Sequence, residues 1–239
     1  MPPRRRFFPR VPRAMSPSQK TGIDHSVKAR ALGKYEGAAQ VCLTDAKEPA
    51  MDFYSPFGPM IAKVQTPRPL LDALNAYADG KVSPDEGREL LLPQEIAFGG
   101  GEASLATHVA GMIGRYIAGM ENTRVNRVDF ETFWVVSQYA GTPSPVHFHT
   151  GDISGVLYLK VPEIDPGEEA RTYISGRQAG YINFLIGGKQ RFSKSLISFK
   201  PQIGDFYVFP GWLLHVAEPF RGAGERRSLA FNAFVTTEK

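Results

Sequence analysis

The sequence predicts an α+β chain, mainly β, built on a jelly roll with helices packed on one face. Three observations predict it. From Phe130 onward the chain breaks into short runs rich in Val, Ile, Tyr and Phe, separated by Gly and Pro turns every ten residues or so, the texture of a sandwich or barrel. Before Phe130, two stretches repeat apolar residues at helical spacing. A length of 239 residues with 42% hydrophobic content suffices to bury the core of one domain.

Residues 1–30 mix Arg, Pro, Ser and Lys without periodicity and read as a disordered basic leader, with Met15 an alternative start; order is expected from near Tyr35. Pro59 to Val64 has β character. Pro67 to Ala78 carries Leu70, Leu71, Leu74 and Tyr77 on one helical face and closes at Gly80. A second helix is expected from Glu102 to Met120, with a stripe of Leu105, Val109, Met112, Ile113, Tyr116 and Ile117. His108 lies one position off that stripe and is not expected to be a ligand. Residues 31–129 are therefore read as the helical N-terminal part, and residues 130–239 as the jelly-roll core, of one domain. The strand candidates are Phe130 to Tyr139, Ile153 to Val161, Arg171 to Ile174, Tyr181 to Ile186, Leu196 to Lys200, Asp205 to Pro210, Leu213 to Ala217 and Arg226 to Val235. There is no internal repeat.

Charge narrows the function classes. The net charge is +4, but Arg4, Arg5, Arg6, Arg10 and Arg13 crowd the leader, so the rest of the chain is nearly neutral. A Pro-rich tail is not a packed nucleic-acid-binding face, which argues against nucleic acid as a partner. Arg4-Arg5-Arg6-Phe7-Phe8 is not followed by the apolar segment that an export signal needs, and no run is long and apolar enough to span a membrane. Cys42 is alone and fits a reducing, cytoplasmic setting.

Chemistry concentrates in two places. His147 and His149 are two apart, so on a strand they project to the same side and offer two imidazoles to one ion. His215, after the turn that follows Gly204 to Trp212, supplies a third. Asp152, three residues beyond His149, is the alternative third ligand, or a partner that orients an imidazole. Imidazoles with an optional carboxylate and no thiolate form the ligand set of non-haem iron, although zinc, copper or manganese accept the same nitrogens. Next, Arg226 and Ser228 share one face of the strand that begins eleven residues after His215. A planar guanidinium with a hydroxyl suits the anchoring of a dicarboxylate inside a barrel, because a buried guanidinium is costly unless it meets an anion.

Together, His147-Phe148-His149, Ser154-Gly155-Val156-Leu157-Tyr158-Leu159, Gly204-Asp205-Phe206-Tyr207-Val208-Phe209-Pro210, His215 and Arg226-Arg227-Ser228-Leu229-Ala230-Phe231-Asn232 resemble the iron- and 2-oxoglutarate-dependent oxygenase superfamily. Within it they resemble a small 2OG-Fe(II) oxygenase family of bacteria and phages related to prolyl hydroxylases. The resemblance implies a double-stranded β-helix, Fe(II) as cofactor and 2-oxoglutarate as cosubstrate, with its distal carboxylate on Arg226 and Ser228 and a hydroxyl from Tyr158. It also implies hydroxylation of a substrate carbon, with release of succinate and CO2, and pocket walls that include Trp212, Tyr181 and Asn183; a protein side chain, a small molecule and a nucleobase stay open as substrates, the near-neutral body arguing against the last. This chain has His147-Phe148-His149 where most of the superfamily has His-x-Asp or His-x-Glu. Gly141 ahead of His147-x-His149, with Gly204 ahead of Pro210, also resembles a cupin, a metal-dependent dioxygenase or isomerase that needs no 2-oxoglutarate and no Arg226-x-Ser228 anchor. A non-catalytic binding module stabilised by metal is the other alternative. The residues before Phe130 carry no motif that names a substrate.

Overall fold

A computed structural model describes residues 51–54, 58–82, 89–98, 103–142, 144–169, 178–187 and 195–238, all within one compact unit, Leu43–Lys239. The expected leader, the start of order near Tyr35, Cys42 and the strand expected at Arg171 to Ile174 lie outside the described residues. In chain order the elements are β1 (Met51–Tyr54), β2 (Ile61–Gln65), α1 (Arg68–Ala78), β3 (Leu90–Leu91), β4 (Ala97–Phe98), β5 (Ala103–Ser104), α2 (Leu105–Glu121) and β6 (Val125–Gln138). There follow β7 (Ile153–Lys160), β8 (Glu163–Ile164), α3 (Pro166–Glu169), β9 (Ile182–Leu185), β10 (Leu196–Phe199), β11 (Asp205–Pro210), β12 (Leu214–Ala217), β13 (Gly222–Ala223) and β14 (Arg226–Thr237).

Both long helices have local reasons to start and stop where they do. α1 begins after its N-cap Pro67, carries Pro69 in its first turn, where the missing N–H has no intrahelical partner to lose, and buries Leu70, Leu71, Leu74 and Ala78. Gly80, at φ +75°, turns the chain away. α2 starts three residues later than the periodicity suggests because Ser104 caps it, its hydroxyl accepting from the Thr107 N–H at 3.2 Å. It ends at Asn122, a left-handed residue at φ 53° whose N–H donates to the Ala118 carbonyl. No described helix is long and apolar enough to cross a membrane.

The large sheet runs β1-β2-β11-β7-β14-β6-β3, with every neighbouring pair antiparallel, and faces a small sheet ordered β10-β9-β12. Strand alternation separates its two faces. Phe133 and Val135 of β6, Leu157 and Leu159 of β7, Phe206 and Val208 of β11, and Leu229 and Phe231 of β14 pack with α1 and α2 in one core. Tyr158, Tyr207 and Phe209 face the other way and pack with Ile182 and Phe184 of β9 inside the roll. This is the jelly roll with helices on one face that the sequence predicts. Gly155 keeps the helix-facing layer closed: a Cβ there would strike the Phe231 ring and lie 2.8 Å from the Tyr207 carbonyl oxygen.

One expectation is corrected. Residues 31–129 read as the helical part with β character at Pro59 to Val64, which is β2, paired with β11 through Val64 and Phe206; β1 and β3 from that part also extend the large sheet, β3 beside β6 through Leu90 and Val135. Four-residue β1 and two-residue β3 are too short to show a period of two, so pairing with longer strands determines their conformation.

Candidate metal centre

Three imidazoles meet at one end of the roll. His147 and His215 form an isolated antiparallel bridge, the N–H of His147 donating to the His215 carbonyl at 3.0 Å and the N–H of His215 returning a bond to the His147 carbonyl at 2.9 Å. Residues directly opposite in such a pair project side chains to the same face, so His147 adds a one-bridge fourth strand to the small sheet and brings its ring to that of His215. His149, two residues on, joins them because its N–H donates to the Gly211 carbonyl at 2.8 Å, while the Gly211 N–H donates to the Asp152 carbonyl at 2.9 Å. The ring centroids lie 4.3 to 5.0 Å apart, and one nitrogen from each ring lies within 4.8 Å of the others, a spacing that can hold one metal ion.

Two of the rings have a fixed orientation. Nδ1 of His147 donates to the Pro145 carbonyl at 2.8 Å and Nδ1 of His215 to the Leu213 carbonyl at 2.9 Å, since a carbonyl can only accept. That tautomer leaves each Nε2 lone pair free to ligate. His149 rests edge-on against the Trp134 indole, and His215 against Phe209.

Gly211 carries the clamp between the two ligand loops, because a Cβ there would collide with the Gly151 carbonyl oxygen and lie 3.0 Å or less from its carbonyl carbon. Gly211→Ala is therefore expected to push the His149 loop off its register and weaken metal binding by about tenfold or more. Titration of the variant with Mn(II) checks this, and unchanged affinity would show that the loop yields without moving its imidazole.

Burial disfavours the charged form of two of the imidazoles. It pushes the His149 pKa down to about 4, with repulsion from His147 adding to the effect, and that of His215 down to about 3. Both stay below the value near 6.5 of an unfolded chain, so between these limits the unfolded state binds more protons. The metal-free protein is expected to be most stable above about pH 6.5 and to lose stability as pH falls toward 3. Urea unfolding at pH 7 and pH 5 measures the drop, and His215→Gln should show a smaller one. An equal drop in both proteins would place the acid sensitivity elsewhere.

A cavity of about 340 Å³ runs from the imidazoles into the roll. Trp134, His147, His149 and His215 form its metal end, and Val136, Val156, Ile182, Phe209 and Ala230 its walls. Further along the same strands, Gln138, Tyr158, Ala217 and Ser228 close it, with Ser228 directly opposite Tyr158 in the β14/β7 register. Glu89, Ser144 and Pro145 also line it.

Arg226 lies behind that closed end, 1% exposed. Its Nε donates to Gln138 Oε1 at 2.9 Å, Nη1 to the Glu218 carbonyl at 2.6 Å and Nη2 to the Ala217 carbonyl at 3.4 Å. Every acceptor is an uncharged oxygen. Burial lowers its pKa, and burial pushes that of Tyr158 up to about 12, so the phenol stays a donor. A register shift between Arg227 and Ser228 accompanies a division of labour: Arg227 points to the helix side, donating to Asp79 at 2.7 Å and Glu225 at 2.7 Å.

Other expected site residues lie elsewhere. The Asp152 carboxylate accepts from the Val235 N–H at 2.9 Å, and Asp152 lines an outer cavity with Trp212, Pro210 and Val235 rather than joining the three imidazoles. Trp212 is 54% exposed there. On β9 the residue that faces the metal cavity is Ile182; Tyr181 and Asn183 do not line it, because strand alternation turns them away. Asn183 instead donates to Glu218 Oε1 at 2.7 Å. His108 packs edge-on against Phe98 on α2, outside the cluster. Sequence reading missed Trp134 and Gln138, whose only signal is their parity with Val136 on a strand that turns inward.

Residues 132–232 match the family described as "Putative 2OG-Fe(II) oxygenase". No curated protein matches the sequence. Similar solved structures include a viral collagen prolyl hydroxylase from Paramecium bursaria Chlorella virus-1, at 16% identity over 81% of this chain and 99% of that one, with a TM-score of 0.49. A prolyl-4-hydroxylase from Pseudomonas putida is similar at 16% identity over 72% of this chain and 91% of that one, with a TM-score of 0.45. The segment similar to that family, residues 132–232, carries all three of the imidazoles gathered at the mouth of the roll.

Proposed function

We propose that the chain is an Fe(II)- and 2-oxoglutarate-dependent hydroxylase acting on a small molecule or a protein side chain. One observation carries the reading: a cavity has three imidazoles at one end and a buried guanidinium, hydrogen-bonded to uncharged oxygens, behind the other. The buried Glu218 carboxylate attracts Arg226 without a hydrogen bond to it, so the guanidinium keeps donors for the carboxylate of a ligand.

His147, His149 and His215 fit a ferrous ion, since they offer three imidazole nitrogens on one side and leave the cavity side open for other ligands. When bound, ferrous iron with 2-oxoglutarate and O2 would supply oxidative decarboxylation to succinate and CO2, one oxygen atom entering succinate and the other the C–H bond of the substrate. The residues do the rest. Arg226 and Ser228 bind the distal carboxylate, and Tyr158, kept protonated by burial, donates to it. Ile182, Val156, Phe209 and Ala230 make the walls between these groups apolar and keep water from them. The Nδ1 bonds of His147 and His215 hold their rings while the substrate is positioned. The nitrogen-only cluster does without Asp152.

The test is to add Fe(II) and 2-oxoglutarate to the full chain without oxygen, record the visible spectrum, and then admit oxygen and quantify succinate. A new charge-transfer band followed by succinate supports the reading. Iron binding with neither would return the chain to a cupin-type enzyme or a metal-stabilised binding module.

A further inference from the structure

The roll is hollow at both ends. Beyond Tyr158, away from the imidazoles, a second cavity of about 310 Å³ is lined by Tyr158, Val161, Glu163, Ile164, Lys200 and Arg226. Tyr158 lines both cavities, whereas Arg226 lines only the second, so a layer of these two side chains divides them. The acceptors of Arg226 on the metal side are Gln138 Oε1 and the Ala217 carbonyl, both residues of the first cavity wall. The remaining guanidinium N–H groups have no acceptor among the described residues, and Arg226 borders the far-end space.

This space is built for an anion. Its inner wall is a guanidinium 1% exposed, beside a phenol that remains protonated, and its rim carries the Lys200 ammonium. Glu163, exposed on β8, lines the space too, and the buried Glu218 carboxylate acts on Arg226 from outside it. A cation deep inside and another at the rim match a ligand with an anionic group at each end, and the volume sits at the small end of the range for ligand pockets.

We infer that the far-end cavity binds a small dicarboxylate, one carboxylate on Arg226 and Tyr158 and the other at Lys200, from the side opposite the metal. It rests on the proposed function only in sharing Arg226 with the cosubstrate anchor. Occupancy would draw the guanidinium away from the metal cavity, so the dicarboxylate acts as a competitor of 2-oxoglutarate that never touches the metal.

Calorimetric titration of the metal-free full chain with succinate tests this. Binding is expected, weakened about five-fold by Lys200→Ala, retained by Lys200→Arg and unaffected by Ser228→Ala, which alters only the metal cavity. No binding, or weakening by Ser228→Ala and not by Lys200→Ala, would overturn the proposal, the second by placing succinate beside the imidazoles. Sulfate binding as tightly as succinate would overturn the dicarboxylate assignment. Separately, 2-oxoglutarate is titrated into the Mn(II)-loaded chain. Failure there with Lys200-dependent succinate binding intact would sink the cosubstrate reading and leave this one standing.

Discussion

His215→Ala is expected to lower affinity for Fe(II) or Mn(II) by at least about a hundredfold, because it removes one of three nitrogens and the best-oriented of them. His215 is 6% exposed, held by its own Nδ1 bond to the Leu213 carbonyl and packed against Phe209. The backbone bridge to His147 does not depend on the side chain, so the remaining two imidazoles should stay where they are. The loss is then one of coordination and not of fold. Equilibrium dialysis against Mn(II), with a circular dichroism spectrum matching the parent protein, separates the two. Asp152→Ala is the control: its carboxylate serves the Val235 N–H, so metal affinity should hold. Stoichiometric metal in His215→Ala with loss in Asp152→Ala would reverse the ligand assignment.

The residues that were legible in the sequence are those whose spacing alone constrains them. His147 and His149 must share a face if extended, and the apolar stripes of α1 and α2 admit few other readings. Asp205 to Pro210, an unbroken apolar run with one acid at its start, proved to be fully buried β11, between β2 and β7 in the large sheet. What was illegible depends on parity or on distant contacts. Tyr181 and Asn183 flank the residue that faces the cavity, and a single-residue error in the inward set exchanges wall for exterior. Trp212 looked like a wall residue because it adjoins the ligand turn, yet Gly211 fits so closely against Gly151 that the chain turns its neighbour outward. Parity with Ser228 singles out Arg226 in the sequence, but nothing there shows what Arg227 does. Only the fold shows one arginine facing uncharged oxygens inside and the next paired with Asp79 and Glu225 under α1.

Arg226→Ala is expected to reduce 2-oxoglutarate affinity of the metal-loaded protein by about tenfold to a hundredfold, the worth of a charge-assisted bond made in a buried site. Metal should remain bound, since no imidazole contacts this side chain through any hydrogen bond of the described residues. Stability should also fall, by about 2 to 4 kcal/mol, because Gln138 Oε1 and the Glu218 carbonyl lose their donor inside the roll. Arg226→Lys separates charge from shape: it restores a cation but not the planar fork that reaches those oxygens and an incoming carboxylate together, so most of the affinity loss should persist. Titration of 2-oxoglutarate into the Mn(II)-loaded variants reads the effect, with urea unfolding alongside. Full affinity in Arg226→Lys would mean that charge alone anchors the cosubstrate, and full affinity in Arg226→Ala would move the anchor to Ser228 and Tyr158. Because Arg226 divides the two cavities, its loss should weaken succinate at the far end as well, whereas Lys200→Ala weakens succinate alone. That asymmetry is what a guanidinium shared between two anion sites requires, and a guanidinium serving one site cannot produce it.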